Sequence, residues 1–204
     1  MHPLNSVKGA ITTGVVLSVV VGILLSVWSG MGTSFHPVSL DRWLHIVAGV
    51  MWIGLLYYFN VVQTPGLAVA AADKGGPGGA GVTKYIAPRA LLWFRWAAVA
   101  TWVTGAIYLL LGYGDDSVGA LGKAFMLQSG YRTIGVGAWL GTIMLFNVWV
   151  FIWPNQKKIL GIVPATEDEK AAARKIAARA SRINFILSVP LLMCMGGQSH
   201  GLPF

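Results

Sequence analysis

Acidic residues are scarce in this chain. Only seven Asp and Glu occur among 204 residues, against 15 Lys and Arg. Charged residues make up 11% of the sequence, less than half of the share of about 25% that is usual in soluble domains. Hydrophobic residues make up 55% and include nine tryptophans. This composition excludes an ordinary soluble domain and predicts an integral membrane protein.

Cysteine is almost absent as well. The single residue Cys194 excludes an internal disulfide and any paired-thiol redox motif. It also excludes the C-x-x-C-H motif that attaches haem covalently, so any haem in this chain has to be held without thioether bonds. Only four histidines are available as alternative metal ligands.

The apolar residues form five runs, each near the length of about 20 residues that a transmembrane helix needs. We therefore predict an all-α integral membrane protein with a single membrane domain over residues 1–204. Its expected architecture is a bundle of about five transmembrane helices plus a cytoplasmic basic helix. The predicted spans are residues 9–30, 42–63, 89–112, 132–153 and 182–199.

Two connections are predicted to be cytoplasmic, residues 64–88 and 154–181. The first contains the segment ADKGGPGGAGVTK, which is typical of a flexible loop and lacks the spacing of a phosphate-binding loop. In the second, Pro154 is expected to end the fourth span. Thr166 and Glu169 then form a capping-box pattern at the start of the basic helix, which we expect to continue into the fifth span.

The basic residues are divided unequally between the two sides of the predicted bundle. Those on one side are Lys8, Lys74, Lys84, Arg89, Lys157, Lys158, Lys170, Arg174, Lys175, Arg179 and Arg182, and those on the other are Arg42, Lys123 and Arg132. The positive-inside rule then places the N-terminus in the cytoplasm and the C-terminus outside. Orientation in a lipid bilayer accounts for these charges, and we expect no nucleic-acid partner. The adjacent Asp115 and Asp116 are more typical of a solvated turn than of a cation site.

Two histidines on different spans are predicted to lie at the same depth near the outer face. They are His45, at the start of the second span, and His200, at the end of the fifth. A single histidine at a helix end is more often an ordinary headgroup-level residue, but two at matched depth predict a shared centre. Neutral imidazole binds haem iron or copper, so we expect haem b, with copper as the alternative.

Three further residues are predicted to contact such a haem. Arg42 and Arg132, near the same ends of their spans, are candidates to pair with the haem propionates. Trp52 is one of several aromatic residues expected to pack against the macrocycle, although tryptophan is also common at membrane interfaces.

A second polar layer is predicted toward the cytoplasmic ends of the spans. Its members are Asn60, Arg95, Asn147 and Asn184. Polar side chains inside a helix bundle tend to bond across helices, so a structural role is favoured over a transport path, with Arg95 bonded to asparagine carbonyls.

Several blocks of the sequence resemble the membrane (N-terminal) domain of bacterial membrane-bound urate oxidases, in which a cytochrome c domain follows. These blocks are WIGLLYYFNVVQTP, APRALLWFRW, IGVGAWLGTIMLFNVWVFIWPNQKKILG and SVPLLMCMGGQSH. They cover most of the chain from about Arg42 to His200. The resemblance implies a redox-linked protein of the bacterial inner membrane, with its C-terminus periplasmic. The cytochrome c domain is not among these residues, so a separate cytochrome c or another membrane subunit is the implied partner.

Three functions are compatible with these features. The first is an electron-transfer subunit with one b-type haem between His45 and His200. The second, implied by the resemblance alone, is a urate oxidase-like membrane oxidase that works with a separate cytochrome c. The third is a non-catalytic accessory subunit of a larger respiratory or photosynthetic membrane complex. The blocks assign no catalytic residue, so the sequence leaves open whether the protein is an enzyme.

Overall fold

A computed structural model of the chain describes residues 5–30, 32, 34–112 and 117–204. These residues form six continuous helices and no strand, which confirms the all-α prediction for this part of the chain. The helices are α1 (Val7–Trp28), α2 (Pro37–Ala72), α3 (Val82–Leu111), α4 (Ser117–Phe125), α5 (Arg132–Ile159) and α6 (Glu167–His200). Asp115 and Asp116 lie outside the described residues.

All of these helices except α4 are long and apolar enough to cross a membrane. The chain divides into two compact units, Met1–Pro37 and Val38–Phe204. The first unit contains α1, which has no buried residue. The second unit contains the other helices and the apolar core.

Three of the long helices contain a proline that is preceded by a π-helical segment. The π segments are Tyr58–Gln63, Val82–Ile86 and Asn147–Ile152, and the prolines that follow are Pro65, Pro88 and Pro154. Proline lacks an N–H, and its ring crowds the carbonyl four residues earlier. A π turn, which is wider and bonds residue i to residue i+5, moves that carbonyl aside. The prediction that the fourth span ends at Pro154 is therefore wrong, because α5 continues to Ile159.

The capping box at the start of α6 is present as predicted. The Thr166 hydroxyl accepts a hydrogen bond from the Glu169 backbone N–H at 3.2 Å, and the Glu169 carboxylate accepts one from the Thr166 backbone N–H at 2.8 Å. From this cap α6 runs without a break to His200, so the basic segment and the fifth span are one helix. Buried Ala173 and Ala177 allow α6 to pack closely along α5.

The apolar core lies in the second unit, where α2, α3, α5 and α6 meet. Trp52, Leu56, Phe94 and Met144 are almost completely buried there. The close contacts among these side chains stabilise the bundle through many small dispersion attractions. The core begins at Trp52 of α2, about two turns after His45, so the ends of the helices near His45 are free to form a cavity.

The polar layer near the other end of the bundle joins α6 to two other helices. The Asn147 side chain donates a hydrogen bond to the Asn184 carbonyl oxygen at 2.8 Å, and the Asn184 amide donates to the Met144 backbone carbonyl at 2.9 Å. On α2, the Asn60 amide donates to the Ser181 hydroxyl at 2.9 Å. Buried amides need such partners, so these bonds help to determine the register of α6.

Arg95 makes a different contact from the predicted bonds to asparagine carbonyls. Its guanidinium carbon lies 3.8 Å from the centre of the Trp153 ring, which is a cation–π stack between α3 and α5. Of the three asparagine side-chain oxygens, that of Asn184 accepts a hydrogen bond from Asn147, and none is bonded to Arg95 among the described residues.

Candidate ligand cavity

The second unit contains a partly open cavity of about 790 Å³ among α2, α3, α4, α5 and α6. This volume lies within the range of about 300–1,000 Å³ that is typical of small-molecule and cofactor sites. Apolar and aromatic side chains dominate its wall, among them Trp52, Tyr57, Trp102 and Phe125. The cavity therefore suits a large ligand with an apolar body.

His45 is the best-defined polar group in the cavity wall. Its Nδ1 lies 2.8 Å from the backbone carbonyl of Thr101 and 3.2 Å from the Thr104 hydroxyl. A carbonyl oxygen only accepts, and the Thr104 hydroxyl donates to the Ala100 carbonyl at 2.7 Å, so this network assigns the imidazole proton to Nδ1. His45 Nε2 is then a free lone-pair donor, since it has no hydrogen-bond partner among the described residues.

The structure brings four of the five predicted cofactor-contacting residues to this one cavity. His45, His200, Arg42 and Trp52 all belong to its wall, but Arg132, the first residue of α5, does not. His200 is exposed at the last turn of α6. The role of these residues as ligands or contacts of a cofactor stays a prediction.

Two polar atoms in this region of α2 are buried without a hydrogen-bond partner in the described part of the chain. One is the indole nitrogen of Trp52, a residue that is only 2% exposed and lines the cavity. The other is a carboxylate oxygen of Asp41, one helical turn before His45. Unsatisfied buried groups are uncommon in native proteins, so these two atoms are unusual features of this region.

Gln198 is a residue whose role the sequence did not indicate. Its side-chain oxygen accepts from the Ile134 backbone N–H at 2.9 Å, and its side-chain nitrogen donates to the Gly130 carbonyl at 3.0 Å. These bonds attach the end of α6 to the start of α5 and so position His200, two residues later. Both ends of the amide are engaged, so Gln198 acts here as a structural residue.

An internal sequence repeat, which was not among the predictions above, also contributes residues to this site. The pattern W-x-G-x-x-x-x-F-N-V occurs at residues 52–61 in α2 and again at residues 139–148 in α5. In both copies the glycine lines the cavity. In both copies the asparagine bonds to α6. The repeat therefore places equivalent residues of two helices against the same cavity and the same neighbouring helix.

Among the described residues, no group of three or more His, Cys, Asp and Glu side chains lies close enough together to hold a metal ion. His45 and His200 thus belong to no larger ligand cluster there. Haem differs from a bare ion in this respect, because the porphyrin supplies four ligands and the protein needs to supply only one or two.

The fold and the cavity define a helical protein of membrane type with a histidine-containing internal cavity. Residues 119–204, which include α5, α6 and most of α4, match the family model described as urate oxidase N-terminal. This part of the chain is therefore similar to the urate oxidase N-terminal domain, which confirms the resemblance noted from the sequence over these residues. No curated protein and no solved structure matches the chain significantly.

Proposed function

We propose that the protein is a redox-linked membrane protein that binds a b-type haem in the cavity and acts as an electron-transfer subunit. The observation that supports this most strongly is the geometry of His45. Histidines that bind metals usually donate their other ring N–H to a carbonyl or carboxylate, which orients the ring and raises the basicity of the ligating nitrogen. The bond from His45 Nδ1 to the Thr101 carbonyl has this form and leaves Nε2 for iron.

The residues of the cavity fit a haem. The volume, the apolar wall and the aromatic side chains suit a flat macrocycle, and the Arg42 guanidinium suits a propionate. His200, from the far end of the chain, also lines the cavity and is the second residue that would hold the iron. A bound haem supplies a one-electron couple. The chain's own contribution is to orient His45 through Thr101, to exclude water with Trp52 and its neighbours, and to place a positive charge at the cavity wall.

The proposed location is the bacterial inner membrane. In this proposal the N-terminus is cytoplasmic, the C-terminus is periplasmic, and the cavity lies toward the periplasmic face. The excess of basic residues on the opposite side supports this orientation. A cavity at that face is accessible to a separate cytochrome c or to another membrane subunit, which is the proposed electron partner. Copper held by His45 and His200 is the alternative cofactor.

An absorption spectrum of the detergent-purified protein tests the haem proposal directly. We expect a Soret band that shifts on reduction with dithionite, and haem that is extracted by acidic acetone because no thioether bond holds it. A protein that purifies folded but shows no Soret band, even after incubation with hemin, would contradict the proposal.

A urate oxidase-like activity is the second candidate, and the family match over residues 119–204 is the finding that favours it. A purine substrate is small and polar and needs several hydrogen-bonding groups, but in this cavity both ends of the Gln198 amide are already bonded to backbone. Urate consumption by membranes that contain the protein, with cytochrome c as acceptor, tests this candidate. Equal rates in membranes with and without the protein would exclude it.

Gly105 is expected to be essential for the orientation of His45. A Cβ at this position would lie 2.8 Å from Cε1 and 3.2 Å from Nδ1 of the imidazole, because the ring rests directly on the α3 backbone there. We expect Gly105→Ala to push the ring off the Thr101 carbonyl and to lower haem content by about 10–100-fold, as the loss of an orienting partner does at other metal sites. Haem per protein, measured by the pyridine haemochrome assay, checks this.

Gly196→Ala is the matched control for Gly105→Ala. Gly196 also lines the cavity, but a Cβ there would meet no atom within 4 Å. It is expected to retain the haem content of the natural protein. Equal losses in the two variants would mean that Gly105 acts through general crowding of the cavity rather than through His45.

A further inference from the structure

Two cations from different helices converge on the ring of Trp153. The Arg95 guanidinium of α3 lies 3.8 Å from the ring centre, and the Lys157 ammonium of α5 lies 5.9 Å from the same centre. A tryptophan face attracts a single cation by about 0.5–2 kcal/mol, but two cations at one ring also repel each other. An anion bound beside the two cations would offset this repulsion.

The described part of the chain provides no such anion. The ion pair found in residues 5–30, 32, 34–112 and 117–204 joins Lys170 to Glu167, at the start of α6. Arg95 and Lys157 have no carboxylate partner among these residues. The site thus has two positive charges without a carboxylate partner in the described part of the chain.

The position of Arg95 points to a ligand from the membrane. Arg89 is the first residue of the third predicted span, and Arg95 lies six residues, or about 9 Å, farther along α3. Trp153 lies the same distance before the end of α5. Both residues are only partly exposed. Trp96, next to Arg95, is 55% exposed on the apolar surface of α3, where acyl chains would lie. A soluble anion would have to leave water to reach Arg95 at this depth, whereas the headgroup of a lipid already lies close to Arg95.

We infer that Arg95, Trp153 and Lys157 form a binding site for the phosphate of an anionic phospholipid. Stacking on Trp153 holds the guanidinium plane fixed and leaves its N–H edges free to bind two phosphate oxygens, a geometry that arginine favours. Lys157 adds a point charge from the helix end. This inference is independent of the haem proposal, since none of the three residues lines the cavity.

The test is the thermal unfolding of the full chain in dodecylmaltoside with three separate additives: phosphatidylglycerol, phosphatidylcholine and inorganic phosphate. We expect phosphatidylglycerol to raise the Tm by about 5 °C at saturation and the other two to have little effect. Arg95→Gln and Lys157→Gln are each expected to reduce this shift by at least half. Lys175→Gln is the control, because Lys175 is an exposed cation of α6 and is not in contact with Trp153.

Three outcomes would overturn the inference. An equal shift with phosphatidylcholine would show that headgroup charge is irrelevant, and an equal shift with inorganic phosphate would show that no lipid is required. A loss in Lys175→Gln as large as that in Lys157→Gln would indicate a diffuse basic surface. If Arg95→Gln fails to fold, Lys157→Gln decides the question, since its side chain lies near the end of α5 and contributes little to the core.

Discussion

Replacing His45 with leucine is expected to remove the Soret band and to leave the helical fold intact. Loss of a residue that only orients a metal ligand lowers affinity by about 10–100-fold, so loss of the proposed ligand itself should lower haem content by at least that factor. The variant also loses the bond from Nδ1 to the Thr101 carbonyl. A neutral hydrogen bond of this kind contributes only about 0.5–1.5 kcal/mol net, which is too little to unfold the protein.

The measurement is haem per protein, with far-ultraviolet circular dichroism of the same sample as the check on folding. His36→Leu is the matched control, because His36 bonds to the Ser34 hydroxyl at 2.9 Å and does not line the cavity. It is expected to retain the full Soret band. A His45→Leu protein with unchanged haem content and spectrum would show that His45 is not a ligand and would remove the main support for the electron-transfer function.

Replacing Gly135 with alanine is expected to destabilise the second unit strongly. Gly135 is a buried residue of α5, and a Cβ there would clash with the backbone carbonyl oxygen of Ala124 in α4 and lie 2.8 Å from Leu127 Cδ2. Backbone atoms cannot rotate away as a flexible side chain can, so α4 has to shift. Overpacking of this kind costs about 1–3 kcal/mol and occasionally more, which corresponds to a Tm about 2–12 °C lower for a chain of this size.

Gly141→Ala is the appropriate comparison for Gly135→Ala. It lies on the same helix and is also buried, but its added methyl would meet Leu191 Cδ1 at an ordinary distance of 3.6 Å. Alanine is also the better helix former by about 1 kcal/mol, so this variant is expected to be as stable as the natural protein or more stable. Similar Tm values for the two variants would show that α4 is not packed tightly on α5. Since Leu121 and Phe125 of α4 line the cavity, Gly135→Ala should also weaken ligand binding.

Features with a strong local signal could be predicted from the sequence. Five apolar runs indicated the long helices, because the length needed to cross a bilayer is a property of each run alone. The capping box at Thr166 and Glu169 is likewise local, and the structure contains both of its hydrogen bonds. That His45 and His200 lie at the same end of the bundle was predicted from a different signal, the distribution of basic residues over the whole chain. Both residues line the same cavity.

Features that depend on packing between helices could not be predicted in this way. The stack of Arg95 on Trp153 depends on how α3 and α5 are rotated relative to each other, and no local sequence pattern determines that rotation. The same limit applies to the contact of His45 with the backbone at Gly105, where only the absence of a side chain permits the approach. Proline usually ends a helix, so the continuation of α5 through Pro154 was not predicted, because the wider turn that tolerates this proline has no simple composition signal.

The π segment in α5 has a consequence for how the two halves of this helix are oriented. A π turn accommodates one residue more than an α turn, so every later side chain is rotated by about 100° around the helix axis. Gly137 and Gly141, before the segment, line the cavity, and Trp153, after it, faces Arg95 of α3. One continuous helix thus carries the cavity-lining glycines on one side of the π segment and the Trp153 that stacks on Arg95 on the other, so substitutions in one part need not disturb the contacts of the other.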